Sequence, residues 1–169
     1  GDGPVTGTGS RPSVTRARRP VRPAPLTATG LLSAPAMTAG RTILLGIVNA
    51  TPDSFYEGGR APTPDEAIAL GFRLAKEGAD FIDVGGESTR PGAAPVAVED
   101  ELRRIKPVVT HLAGSGIKVS IDTSKALIAE RALDCGAKMV NDVTALRGDP
   151  AMAPLVAAAG VPVVLMHMR

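Results

Sequence analysis

Five short β-rich runs alternate with four helix-patterned segments, and this alternation constrains the fold more than any other feature. The runs are Ile43–Asn49, Phe81–Gly85, Lys118–Asp122, Lys138–Asp142 and Pro162–His167. The first gap holds Thr63-Pro64-Asp65-Glu66, a capping box with Pro at the first helical position, and predicts a helix ending at Gly78. Val98, Leu102, Ile105, Val109 and Leu112 form a helical stripe in the second gap, interrupted by Pro107. Ser124 to Cys135 reads as a third helix, stopped by Gly136. Asp149-Pro150 opens a fourth, stopped by Gly160. Strict β–α alternation predicts an α/β fold, a parallel sheet covered by helices. The runs show little polar alternation, which fits strands buried on both faces.

The first forty residues do not share this rhythm. Residues 1–40 are rich in Gly, Pro, Arg, Ser and Thr and read as a disordered Pro/Arg-rich tail, with the domain at 41–169. Met37 precedes the first strand, so the functional start is expected near it. The net charge of +2 belongs to the tail. It holds five arginines and one acid, leaving 14 of 19 basic and 16 of 17 acidic residues from position 41 on, which makes −2. A slightly acidic body offers no electrostatic case for nucleic acid. No apolar run is long enough to span a bilayer. The single cysteine, Cys135, excludes an internal disulfide and a multi-cysteine metal site, and is compatible with a cytoplasmic setting.

The polar residues fall where chemistry is expected. Each run ends in something polar: Asn49; Glu87 and Ser88 after Gly85-Gly86; Asp122 and Thr123; Asn141 and Asp142; His167. In parallel α/β proteins the carboxyl ends of the strands share one rim, which hosts the active site. Thr123 or Ser124, and Asp149, read as simple helix caps. Asp122 and Asn141, on neighbouring strands, match the donors and acceptors of a flat heterocycle. Asp83 is equally a binding acid or a buried structural one. Asn49 offers an oxygen to Mg²⁺ shared with a phosphorylated substrate. The segment Gly85 to Ala93, with Arg90, suits an anionic ligand. His167 reads as a pocket wall or a general base, and His111 as surface. No nucleophile–base pair is recognisable, so covalent catalysis has no support.

Taken together, NATPDSF, GADFIDVGGESTRPGA, VSIDTSKA, MVNDVTAL and VVLMHM resemble dihydropteroate synthase, in order and at suitable spacing across residues 43–169. The resemblance implies a TIM (β/α)₈ barrel, present here as its first five strands. It implies condensation of 6-hydroxymethyl-7,8-dihydropterin pyrophosphate with para-aminobenzoate, releasing pyrophosphate, in folate biosynthesis. It places Asp122, Asn141 and Met166 at the pterin and Asn49 near Mg²⁺ and pyrophosphate. Thr51, Asp53, Ser54 and Phe55 fall in a first mobile loop, and Thr89 and Arg90 in a second. Thr51, Asp53 and Ser54 take catalytic roles, while Phe55, Thr89 and Arg90 bind substrate. A homodimer is implied for the complete enzyme.

Two departures qualify this reading. Tyr56 and Glu57 stand where the family usually has a small residue and Asp. The chain ends at Arg169, whereas such a barrel takes roughly 250 residues. An incomplete copy of a longer synthase is therefore expected, one that folds poorly or associates when alone. The alternatives are a non-catalytic pterin-binding paralogue or fragment and, further off, a folate-dependent methyltransferase.

Overall fold

The computed structural model describes residues 42–51, 63–88 and 93–166. Five parallel strands lie in the order β1-β2-β3-β4-β5, which is also their order in the chain. They are β1 (Leu45–Asn49), β2 (Phe81–Gly85), β3 (Val119–Asp122), β4 (Met139–Asp142) and β5 (Val163–Leu165). Between them run α1 (Pro64–Lys76), α2 (Val98–Gly114), α3 (Ala126–Asp134) and α4 (Met152–Ala159). The expected alternation is present, with strand ends trimmed by one or two residues. Right-handed crossovers between adjacent parallel strands put every helix on one face of the sheet.

Local chemistry explains the helix boundaries. Thr63 Oγ1 accepts from the Glu66 N–H while the Glu66 carboxylate accepts from the Thr63 N–H, closing the predicted capping box. Asp65 and Glu66 in the first turn, and Arg73 and Lys76 in the last, suit the helix dipole. Gly78 follows with φ +109°, a conformation that costs glycine little. Helix α2 runs on through Pro107, which lies on its exposed side. Asp149 departs from the expectation of a simple cap for α4. Its Oδ2 accepts from Ala126 N–H at 2.9 Å, capping α3 across the loop, and its Oδ1 accepts from Ala151 N–H.

The two faces of the sheet differ in kind. On the helix-covered face Val48, Ile82, Val84, Val119, Ile121 and Val140 are wholly buried. They pack against Ile105, Val108, Val109, Leu112, Ile128 and Met152. The other face carries Ile47, which is 61% exposed, and Asn49, Asp83, Ser120, Asp122 and Asn141. The helix side is a hydrophobic core. The opposite side turns polar toward the carboxyl ends of the strands.

Candidate functional site

Strand register builds the site. Asn49 pairs with Gly85, Gly85 with Asp122, Asp122 with Asn141, and Asn141 with Val164. Residues in register across parallel strands project to the same side of the sheet. Asn49, Asp122 and Asn141 thus form one row, with the bare backbone of Gly85 between the first two. A Cβ built on Gly85 would lie 3.5 Å from both Asn49 Oδ1 and Asp122 Oδ2. The absence of that carbon leaves an open floor between two oxygen acceptors. One step down the sheet, Asp83 pairs with Ser120, and Ser120 with Met139.

Asp83 acts on Asn141 across the intervening strand. Asn141 Nδ2 donates to Asp83 Oδ2 at 2.9 Å. A carboxylate oxygen accepts, so this bond sets which end of the amide faces Asp83. Asn141 Oδ1 is left as the free end. It is buried and, like Asp83 Oδ1 and Ser120 Oγ, has no hydrogen-bond partner among the described residues. The Asp122 carboxyl is pushed up to about 7, first by burial, then by the charges of Asp83, Glu101 and Asp142. The floor therefore offers mainly acceptors, one of which titrates near neutrality. Such a surface suits a flat ligand whose edge carries N–H donors.

The remaining strand-end residues divide. Asp142 follows Asn141 and so points to the other side of the strand. Its carboxylate accepts from Thr144 N–H, Thr144 Oγ1 and Leu146 N–H. It fixes a loop in which Ala145 and Leu146 hold positive φ, at 55° and 63°. Asp142 is a loop anchor and does not line the rim, contrary to the expectation from its position. Thr51 is buried just after β1 and lines a pocket of about 300 Å³ together with Ser88, Val96, Asp100 and Arg104. None of the Asn49–Asn141 row lines that pocket. Met166 follows β5 and is 45% exposed. Asp53, Ser54, Phe55, Thr89, Arg90 and His167 lie outside the described residues.

Sequence reasoning missed a buried ionic cluster built on the loops that follow β2 and β3. Glu101 has no exposed surface. Its Oε2 meets Lys125 Nζ at 2.7 Å, and its Oε1 accepts from Thr123 Oγ1 at 3.3 Å. Lys125 Nζ also donates to Val96 O at 2.7 Å and pairs with Glu87 Oε2 at 3.0 Å. Glu87 Oε1 accepts from Val96 N–H at 2.7 Å, and Arg104 donates to Gly86 O. Partial burial opposes the charge on Lys125, but hydrogen bonds and attraction from Glu101 and Glu87 outweigh it and raise its pKa. A signal was present in the sequence. Glu101 lies four residues before Ile105 and falls on the buried stripe with Val108 and Leu112.

Comparison with known proteins agrees with this geometry. Residues 45–169 match the model of the pterin binding enzyme family. Dihydropteroate synthase of Mycobacterium leprae is 56% identical over 126 residues, which cover 75% of this chain and 44% of that protein. Xanthomonas albilineans dihydropteroate synthase, solved with 4-aminobenzoic acid, superposes with a TM-score of 0.70 at 53% identity. The match covers 76% of this chain and 47% of that one. The same organism's enzyme in complex with 7,8-dihydropteroate gives a TM-score of 0.67 at 47% identity, covering 79% and 48%. The chain spans a little under half the length of each. The five-stranded sheet is the first part of a TIM barrel. On both the family match and the fold, the chain belongs to the pterin-binding enzyme family.

Proposed function

We propose that this chain serves a dihydropteroate synthase, joining 6-hydroxymethyl-7,8-dihydropterin pyrophosphate to para-aminobenzoate and releasing pyrophosphate. The observation that carries this reading is the Asn49–Gly85–Asp122–Asn141 row, with the Asn141 amide oriented by Asp83. Related synthases have been solved with 4-aminobenzoic acid and with 7,8-dihydropteroate, which matches the donor-rich flat ligand the floor suits.

In this reading Asp122 and Asn141 accept from the amino and N–H groups of the pterin, and Met166 lines its pocket. The aminobenzoate nitrogen forms a bond to the exocyclic methylene carbon as the carbon–oxygen bond to pyrophosphate breaks. The nitrogen sheds one proton. An arylamine is already nucleophilic, so no side-chain nucleophile is needed. Thr51, Asp53, Ser54 and Phe55 serve from the first loop, and Thr89 and Arg90 from the second. Asn49 is the residue to hold Mg²⁺. Its side-chain oxygen beside the open backbone of Gly85 fits an ion that takes one or two protein oxygens and shares the rest with phosphates and water. When bound, Mg²⁺ would neutralise charge on the departing pyrophosphate. A cytoplasmic homodimer is part of the same proposal. Among the described residues no helix is long and apolar enough to cross a membrane.

The test is pyrophosphate release that requires both substrates, paired with direct measurement of pterin binding. Asp122→Ala should abolish both. Pterin binding without product would overturn the synthase reading and leave a pterin-binding protein.

A further inference from the structure

We infer that Lys125 is a positioning residue: with buried Glu101 it ties the segment that follows Asp122 to Glu87 and Val96, and so fixes the two described ends of the β2–α2 connection beside the pterin floor. The inference rests on the synthase reading above.

The geometry is specific. Lys125 lies three residues after Asp122, and the Lys125 N–H donates to Thr123 Oγ1 at 3.2 Å. Its ammonium reaches Val96 on the far side of the connection and Glu87 on the near side. Glu87 and Val96 are also bonded to each other, so the three groups close a ring of contacts. Glu101, with no exposed surface, holds the ammonium from below. A second feature fixes the same backbone. A Cβ on Gly86 would come within 2.7 Å of Ile105 Cγ2 and 2.8 Å of Glu101 Cγ, so α2 sits directly on the chain there.

A surface ion pair would do none of this. The Lys125 side chain is 26% exposed and its partner Glu101 is fully buried, so the charge on Glu101 is tolerable only while Lys125 answers it. All three donor positions of an ammonium have partners here, in Glu101, Glu87 and Val96. The pterin-facing atoms of Asp122 and Asn141 are not among them. Loss of the cluster should therefore leave the floor in place and shift the connection beside it. Misplacement of about 1 Å in a positioning group costs up to roughly 100-fold in rate.

The measurement is a split between pterin affinity and turnover, on the same protein used for the synthase assay. Lys125→Met alone strands a buried carboxylate and threatens the fold, so Lys125→Met with Glu101→Gln removes both charges together. Glu87→Ala, which leaves no buried charge unpaired, serves as the second variant. At pH 8.5, where Asp122 is ionised with or without the Glu101 charge, we expect either variant to keep the dissociation constant for dihydropterin pyrophosphate within about 2-fold and to lower kcat at least 10-fold. Wild-type kcat in the Glu87→Ala protein, or in a folded double variant, overturns the inference. An equal loss of pterin affinity also overturns it, because Lys125 would then support the floor itself. Wild-type protein without turnover overturns the synthase reading instead.

Discussion

On the proposed reading, Asp122→Asn should make this protein more stable while weakening its binding of a pterin. The carboxyl at position 122 titrates at about 7 in the folded protein against 3.8 for an ordinary Asp, chiefly through burial. A raised folded pKa means that stability from this group is fully present below pH 3.8 and is lost as pH rises through 7. The interval is roughly three tenfold steps, so the ceiling is about 4 kcal/mol at 1.36 kcal/mol each. Partial solvent access to Asp122 screens its charge, and the expected gain at pH 8 is ~1–2 kcal/mol. Asn keeps the shape and cannot ionise. Urea midpoints at pH 5, 6.5 and 8 would follow the effect. The variant's advantage should grow across that range and level off above pH 7. Pterin binding, followed by calorimetry, should weaken at least 10-fold. An Asp122→Asn protein less stable than the parent at pH 8, or an advantage that does not change with pH, would show that Asp122 is a satisfied structural carboxylate and refute the reasoning.

The adjacent glycines should separate function from folding. Gly85→Ala places a methyl at ordinary contact distance, 3.5 Å from Asn49 Oδ1 and Asp122 Oδ2, so it should melt near the parent while losing pterin affinity. Gly86→Ala meets Ile105 Cγ2 at 2.7 Å and should cost ~1–3 kcal/mol in urea denaturation. Asp83→Asn removes one of the charges facing Asp122, the others being Glu101 and Asp142, and should bring the Asp122 carboxyl down in a carbon-13 NMR titration. An unmoved titration would separate the two acids. Because its partners raise the Lys125 pKa, its stabilising effect should hold below pH 10.5 and fade above it. The difference between thermal melts of the parent and of Lys125→Met should therefore stay constant between pH 8 and pH 10 and narrow only above pH 10.5.

The framework was legible because it is periodic. Short apolar runs and amphipathic stripes need only neighbours a few residues apart to be seen, and Thr63 to Glu66 spelled out a cap that the structure closes in full. The ends of the runs were less legible. Leu44 belongs to the apolar run, yet its N–H goes to the Asp80 carboxylate, and β1 starts one residue later. At the rim, the runs marked which segments converge but not which residue of each polar pair faces inward. Asn141 and Asp142 look alike in sequence. Strand alternation sends one to the floor and the other to the loop behind it. The bond between Asp83 and Asn141 joins residues 58 apart, beyond any local pattern. Glu101 is invisible when a stripe is read through its apolar members alone.

The contrast between the two buried polar groups of this half-barrel separates support from recognition. Around Glu101 every charge is answered: both carboxylate oxygens have partners, and the ammonium between the carboxylates has all its donors engaged. Such a closed network rigidifies the structure around it. Across the sheet, Asp83, Ser120 and Asn141 each bury an oxygen without a partner among the described residues. Each such group costs about 1–3 kcal/mol if it stays unmet. Folding alone would favour apolar side chains at those places, as it does on the helix-covered face of the same strands, where Ile82, Val84, Val119 and Ile121 are wholly buried. Oxygens kept on one face of strands whose other face is an apolar core are therefore best explained by a ligand that brings N–H groups to them. The arrangement also predicts an order of selectivity, readable by calorimetry. An analogue that keeps the pterin's shape but replaces its N–H donors with acceptors should lose far more affinity than one that loses a methyl, because it would set acceptors against the buried acceptors of the floor.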